Sequence, residues 1–118
     1  MRDIRELAER LRDFAVARDW EQFHTPKNLA MALAVEAGEL LAEFQWLTPE
    51  EAAGIMADPQ AAHQVRSEIA DVFLYLTRLA DVLGVDLLGS AADKLEENER
   101  RYDAATYRGS RRKAPALP

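Results

Sequence analysis

The 118-residue sequence contains no cysteine and no long apolar segment. Without cysteine the chain can form neither a disulfide framework nor a thiolate metal site, and thiol catalysis is excluded. The longest apolar run covers Leu29 to Val35, which is far short of the ~20 residues that span a bilayer. No signal-peptide core follows the N-terminus. We therefore expect a cytoplasmic protein with no membrane partner.

Basic residues are in the minority, and the formal net charge at pH 7 is −6. Domains that bind nucleic acid polymers usually carry a basic footprint, so we expect no such partner. A small anion can still bind where cations concentrate locally. The sequence is 48% hydrophobic and 31% charged, which is typical of a folded domain rather than a disordered chain.

Apolar residues recur at helical spacing through most of the chain, and no strand signal is present. Thr25-Pro26 and Thr48-Pro49 each combine an N-cap residue with proline at the first helical position. Gly84 is suited to end a helix. The residues between Trp20 and His24 break the pattern and indicate a loop. The predicted helices run, by residue number, over about 3–18, 26–46, 49–58, 61–83 and 87–101.

These elements predict an all-α fold, a small bundle of four to five helices. We expect one domain over residues 1–102, followed by a basic, weakly ordered tail over residues 103–118. The second and fourth helices are apolar nearly all round, which is typical of buried helices. A chain of 118 residues has few other helices to cover these two. We therefore expect a homo-oligomer, either a dimer or a tetramer.

Two acidic pairs interrupt these apolar helices. Glu36 and Glu39 lie three residues apart in the second helix, and Glu68 and Asp71 have the same spacing in the fourth. Residues three apart share a helix face. If the two helices pack side by side, four carboxylates converge.

Ionised carboxylates are almost never fully buried unless they are paired or bind a metal. An all-oxygen cluster suits a hard cation, Mg²⁺ first and Mn²⁺ second. Two alternatives remain: the pairs form an ordinary solvated face, or Arg78 neutralises them. A di-iron bundle is disfavoured, because it needs Glu-x-x-His pairs on its helices, and the one such spacing, Glu21 to His24, lies in the predicted loop.

The acidic pairs and their flanking residues resemble the all-α nucleotide pyrophosphohydrolases, the MazG-like superfamily. Glu36-Ala37-Gly38-Glu39 with Glu68-Ile69-Ala70-Asp71 is similar to the paired acidic motif of that superfamily. Other segments resemble its dCTP pyrophosphatase branch in particular. They are Arg18-Asp19-Trp20-Glu21-Gln22-Phe23-His24, Pro26-Lys27-Asn28-Leu29, Phe44-Gln45-Trp46 and Lys94-x-x-x-Asn98-x-x-Arg101-Tyr102.

The resemblance implies an oligomeric enzyme that uses Mg²⁺ to cleave a nucleoside triphosphate, dCTP or a 5-modified dCTP first, into the monophosphate and pyrophosphate. Metal ligands would be Glu36, Glu39, Glu68 and Asp71, and Glu36 or Glu39 would take the proton of the attacking water. The substrate-binding candidates are Trp20, His24, Trp46, Tyr75, Lys94, Asn98, Arg101 and Tyr102.

The sequence departs from the branch pattern after Tyr102, where Asp103 stands in place of the usual proline. This change puts the path of the C-terminal segment in doubt. A non-catalytic helical module that binds nucleotide or a partner helix is the alternative function. A third alternative is an enzyme of the same class whose substrate is dUTP or a modified purine triphosphate.

Overall fold

The computed structural model describes all 118 residues, and its regular structure is entirely helical. This confirms the predicted all-α fold. No helix is both long enough and apolar enough to cross a membrane. The helices are α1 (Ile4–Ala17), α2 (Pro26–Ala42), α3 (Pro49–Ala53), α4 (Pro59–Leu83), α5 (Leu87–Arg101) and α6 (Ala104–Tyr107), with single 3-10 turns at Glu21–Phe23 and Ile55–Ala57.

The predicted helix caps are confirmed. Thr25 accepts a hydrogen bond from the backbone N–H of Asn28, and Thr48 and Glu51 form a reciprocal capping box. Gly84 ends α4 with a left-handed φ of 69°, a conformation that glycine adopts without the steric cost of a Cβ atom. Capping residues therefore define two helix starts and one helix end.

Three predicted boundaries are wrong. α3 ends at Ala53 rather than near Asp58, and a 3-10 turn over Ile55–Ala57 follows it. α2 ends at Ala42 rather than Trp46, because the bonds from Glu43 and Phe44 tighten to i→i−3 spacing, which closes the last turn. α4 begins at Pro59 rather than Ala61. There Asp58 accepts from Gln60 and the proline occupies the first helical position, as at the two predicted starts.

α4 is the centre of the N-terminal unit, residues Met1–Gly84. Both α1 and α2 pack against it. Glu36 on α2 lies near Glu68 on α4. His24, which precedes α2, contacts Arg78, which lies further along α4. Earlier residues of α2 thus meet later residues of α4, so the two helices run antiparallel. The fully buried apolar side chains of this unit are Ala15, Leu29, Ala62, Val65 and Ala80.

One protomer does not bury α2 as predicted. Leu29 is buried, but Val35 and Leu41 are 60% and 61% exposed. On α4, Ile69 and Phe73 are also exposed. The chain has too few other helices to cover α2 and α4 on all sides. Apolar faces of both helices therefore remain exposed in the single chain.

The C-terminal unit, Val85–Pro118, contains α5 and α6. The predicted tail, residues 103–118, contains α6, whose first turn is capped by Asp103. Arg101 donates from Nη2 to the carbonyl of Ala114 at 2.7 Å and from Nε to that of Pro115 at 3.2 Å. These bonds hold the following segment, and the division at residue 102 stays a prediction.

Candidate metal and nucleotide site

Three carboxylates from α2 and α4 come together. One oxygen from each of Glu36, Glu39 and Glu68 lies within 4.8 Å of the other two. We call these three residues the acidic cluster. The antiparallel packing of α2 on α4 produces it, because the i, i+3 pair of α2 faces Glu68 across the interface.

The fourth predicted ligand, Asp71, is outside this distance but close enough to act electrostatically. Burial raises the pKa of Glu36, and the charges of Asp71 and Glu39 raise it further. Burial likewise raises the pKa of Glu68, and the charges of Glu39, Glu36 and Asp71 raise it further. Repulsion among the four carboxylates therefore outweighs the one hydrogen bond, between Glu36 and Glu68, that lowers the pKa of Glu36.

The Oε2 atom of Glu68 is buried and has no hydrogen-bond partner. Such an atom is costly unless something compensates it. Arg78, which was the alternative to a cation for neutralising the acidic pairs, bonds to His24 and Asp81 instead. The residues thus fit a hard cation, which would supply the missing charge and the missing partner.

The predicted loop before α2 brings two substrate-binding candidates together. Asp19 adopts a positive φ of 55°, which turns the chain out of α1. The Trp20 ring then meets Phe14 edge-on, at 5.6 Å between centroids, and His24 at 6.4 Å. Trp20 remains 43% exposed, so a face of this aromatic group is accessible.

Two further aromatic candidates lie on α2 and α4. Tyr75 is half-buried and lies one turn after Asp71, on the same side of α4. Trp46, in the turn after α2, is 86% exposed. An indole so exposed contributes little to the core of its own chain and is available to a ligand or to another protomer.

The remaining candidates lie in the C-terminal unit. Lys94 forms an ion pair with Glu97 at 2.6 Å, and Asn98 is half-buried. Arg101 already donates to two tail carbonyls, and Tyr102 packs edge-on against Tyr107. The assignment of these residues to phosphate binding stays a prediction.

Sequence reasoning missed an ion-pair network behind His24. Asp81 accepts from Arg12 through Nε at 3.1 Å and Nη2 at 2.9 Å, and from Arg78 at 3.3 Å. Hydrogen bonding from Arg12 holds the pKa of Asp81 below its usual value. The available signal was an arginine in the apolar stretch of α4 with an aspartate three residues later.

Comparisons with known proteins identify the family of this chain. The MazG-like family model matches residues 31–115, which include all four predicted metal ligands. The dCTP pyrophosphatase 1 proteins of Homo sapiens and Mus musculus are 42% and 40% identical over 118 residues, covering all of this chain and 68% of theirs.

A solved structure agrees with the fold. The crystal structure of a pyrophosphatase from Archaeoglobus fulgidus superposes with a TM-score of 0.78 at 39% identity, over 84% of this chain and 91% of that one. The chain therefore belongs to the MazG-like family, in the branch that includes the dCTP pyrophosphatases.

Proposed function

We propose that this chain, a nucleotide pyrophosphohydrolase, requires Mg²⁺ and cleaves dCTP or a 5-modified dCTP into the monophosphate and pyrophosphate. One observation carries the proposal: three carboxylates converge within 4.8 Å around a buried, unpartnered oxygen of Glu68. The names of the relatives support the substrate class. The geometry supports the cation.

The donor set favours Mg²⁺, with Mn²⁺ as a substitute, because every ligand is a carboxylate oxygen. Glu36, Glu39 and Glu68 would hold the cation, with Asp71 completing the set. When bound, Mg²⁺ supplies positive charge to the phosphate oxygens and lowers the pKa of a bound water. Before it binds, the carboxylates repel one another, and a cation would relieve that repulsion.

The two glutamates of α2 are the proposed proton acceptors for the attacking water. A carboxylate accepts a proton more readily when its pKa is raised, and burial with the charges of Asp71 and Glu39 raises that of Glu36. Glu39 is more exposed and can reach a water from the open side. Either side chain would return the proton to solvent after cleavage.

The aromatic and polar candidates divide between the base and the phosphates. Trp20, Trp46 and Tyr75 are proposed to stack on or line the base, and His24 to donate a hydrogen bond to the nucleotide. Lys94, Asn98, Arg101 and Tyr102 are the proposed phosphate ligands, with arginine suited to bidentate contact.

We also propose that the enzyme works as a homodimer or homotetramer. Val35 and Leu41 on α2, and Ile69 and Phe73 on α4, expose apolar surface on the two helices that carry the acidic cluster. Exposed apolar surface of this kind marks interaction sites. A second protomer on these helices would exclude water from the cluster and strengthen its electrostatics.

The test is the release of pyrophosphate and monophosphate from a panel of nucleoside triphosphates. The panel contains dCTP, 5-methyl-dCTP, dUTP and a modified purine triphosphate, each with Mg²⁺ and with EDTA. The proposal predicts metal-dependent release of both products, fastest from the cytosine nucleotides. Nucleotide binding without turnover would contradict it and favour a non-catalytic binding module. Fastest turnover of another base would keep the enzyme and change the substrate.

A further inference from the structure

Arg78 is a buried arginine whose contacts the proposed chemistry does not use. It is 7% exposed and lies on α4. Its Nε donates to Nδ1 of His24 at 3.0 Å, and its Nη1 donates to Asp81 at 3.3 Å. A buried charge persists only with partners, and this one uses His24 as a neutral acceptor beside an ionic one.

The hydrogen bond fixes where His24 carries its proton. Arginine has donors only, so Nδ1 of His24 must be the acceptor and cannot hold a proton. The ring is therefore neutral, with its proton on Nε2. Burial lowers the pKa of His24, and the positive charge of Arg78 lowers it further, in agreement with the contact.

The contact lies on the same face of α4 as the acidic residues. Arg78 follows Asp71 by seven residues, which is two helical turns and about 10 Å along the axis, and Tyr75 lies between them. Antiparallel packing brings His24 to the same level. The imidazole thus lies along the line that a nucleotide would take if its phosphates met the acidic cluster.

We propose that Arg78 is a positioning residue that holds His24 as the neutral Nε2–H tautomer, so that the ring presents one donor to an acceptor oxygen of the nucleotide. This inference rests on the proposed function for the identity of the ligand. The hydrogen-bond assignment itself rests on the contacts of Arg78 alone. An acceptor oxygen on either the base or the phosphate chain meets the requirement.

Asp81 and Arg12 support this arrangement from behind. Asp81 accepts from both arginines, and Arg12 on α1 is bound through two nitrogens. Asp81 therefore fixes the guanidinium plane of Arg78 and balances its charge. Around His24, the charged groups are Arg78 and, one step further, Asp81 and Arg12; Trp20 presents only its uncharged ring.

The structural arm of the test is ¹⁵N NMR of the full-length protein without nucleotide. The chain has only two histidines, and the exposed His63 is the internal reference. We expect a scalar coupling across the bond from Arg78 Nε to His24 Nδ1, and a His24 pKa below the ordinary value of histidine. Arg78→Gln should remove the coupling and raise the His24 pKa. Arg66→Gln, at an exposed arginine of the same helix, is the matched control and should preserve both.

The functional arm compares the KM for dCTP and the Kd for dCMP. Loss of one hydrogen bond to nucleotide predicts a KM increase of roughly three- to tenfold in Arg78→Gln, with kcat within about twofold. Because Arg78 acts through His24, the His24→Ala, Arg78→Gln double variant should match His24→Ala alone. A parallel rise in the Kd for dCMP assigns the acceptor to the nucleoside or its α-phosphate, whereas an unchanged Kd assigns it to the outer phosphates.

The inference is overturned if Arg78→Gln leaves the His24 titration unchanged, if Arg66→Gln has the same effects, or if the two losses add in the double variant. A wild-type protein without turnover would refute the proposed function but not this assignment, which NMR and nucleotide binding then decide. If Arg78→Gln does not fold, Arg78→Lys retains charge for Asp81, lacks Nε, and should still lose the coupling.

Discussion

Single residues of the acidic cluster oppose folding when no cation is present. The Glu68 carboxylate is partly buried among other carboxylates, and its Oε2 has no partner. Burial and the neighbouring charges raise its pKa and that of Glu36. The folded chain therefore holds protons that the unfolded chain releases. Stability from these groups is present at low pH and is lost as pH rises through the raised pKa values.

The first prediction concerns Glu68→Gln in EDTA. The variant removes one of the repelling charges, so its melting temperature should exceed that of the wild type at pH 7. The difference should shrink as pH falls through the raised pKa values and vanish below the ordinary glutamate value of about 4.3. Added Mg²⁺ should stabilise the wild type and leave the variant unchanged. Melting curves in both conditions measure this. Glu99→Gln on α5 is the matched control, and a less stable Glu68→Gln in EDTA would contradict the account.

The second prediction concerns Thr77, which is 1% exposed and has a hydroxyl without a partner. Thr77→Val removes the unsatisfied oxygen with almost no change of volume, so it should raise the free energy of unfolding by about 1 kcal/mol. Urea denaturation gives the value. Thr106 donates to Asp103 at 2.9 Å, so Thr106→Val should bring no gain; equal effects of the two changes would refute the explanation.

At the residue scale, sequence reasoning predicted the acidic pairs and missed the partners of Arg78. The i, i+3 spacing of each pair is local and visible in the chain. The His24–Arg78 and Arg12–Asp81 contacts join residues 54 and 69 positions apart, and no local pattern encodes them. Neutralisation of the acidic pairs by Arg78 was one alternative, but Asp81, one turn away on its own helix, pairs with Arg78 instead.

At the scale of elements, helix starts were predictable wherever a capping residue preceded proline. Thr25-Pro26 and Thr48-Pro49 were identified, while Asp58-Pro59, the same device, was interpreted as a helix end. The end of α2 was harder to predict, since no glycine or proline marks it and the chain closes through i→i−3 bonds. α6 has four residues, too few for periodicity to reveal it.

The third prediction concerns Gly38, in the middle of α2 between the two glutamates. A Cβ atom at this position would meet nothing within 4 Å in the protomer. Gly38→Ala should therefore raise the free energy of unfolding by about 1 kcal/mol through helix propensity alone. Thermal and urea denaturation measure the change. A loss of stability would mean that another chain approaches Gly38 closely, and a loss of turnover alone would mean that the nucleotide does.

At the scale of the whole molecule, the chain exposes apolar surface on the helices that carry its site. The family and the fold were predictable, because the acidic motifs and helical periodicity are local. The extent of burial was not predictable from the sequence: α2 was expected to be buried, but it is largely exposed in one protomer. The expected homo-oligomer accounts for this difference and stays a prediction.

The fourth prediction tests self-association. Val35 is 60% exposed on α2, and Val16 on α1 is 55% exposed. Val35→Lys places a charge in the proposed interface, so light scattering should give the 13.3 kDa monomer, whereas Val16→Lys should remain oligomeric. A wild type that is monomeric at micromolar concentration would contradict the proposal.

The central claim is that the acidic cluster binds the cation that hydrolysis requires. The most direct measurement is Mn²⁺ binding by calorimetry, together with dCTP turnover in Mg²⁺, for Glu39→Gln and Glu43→Gln. Glu39 lies on α2, and Glu43 lies one turn later, just beyond the end of that helix. Of the two, only Glu39 contributes an oxygen to the acidic cluster. The account predicts that Glu39→Gln loses cation binding and at least about a hundredfold in turnover, while Glu43→Gln retains most of both. Equal effects of the two substitutions, or full turnover by Glu39→Gln, would contradict it.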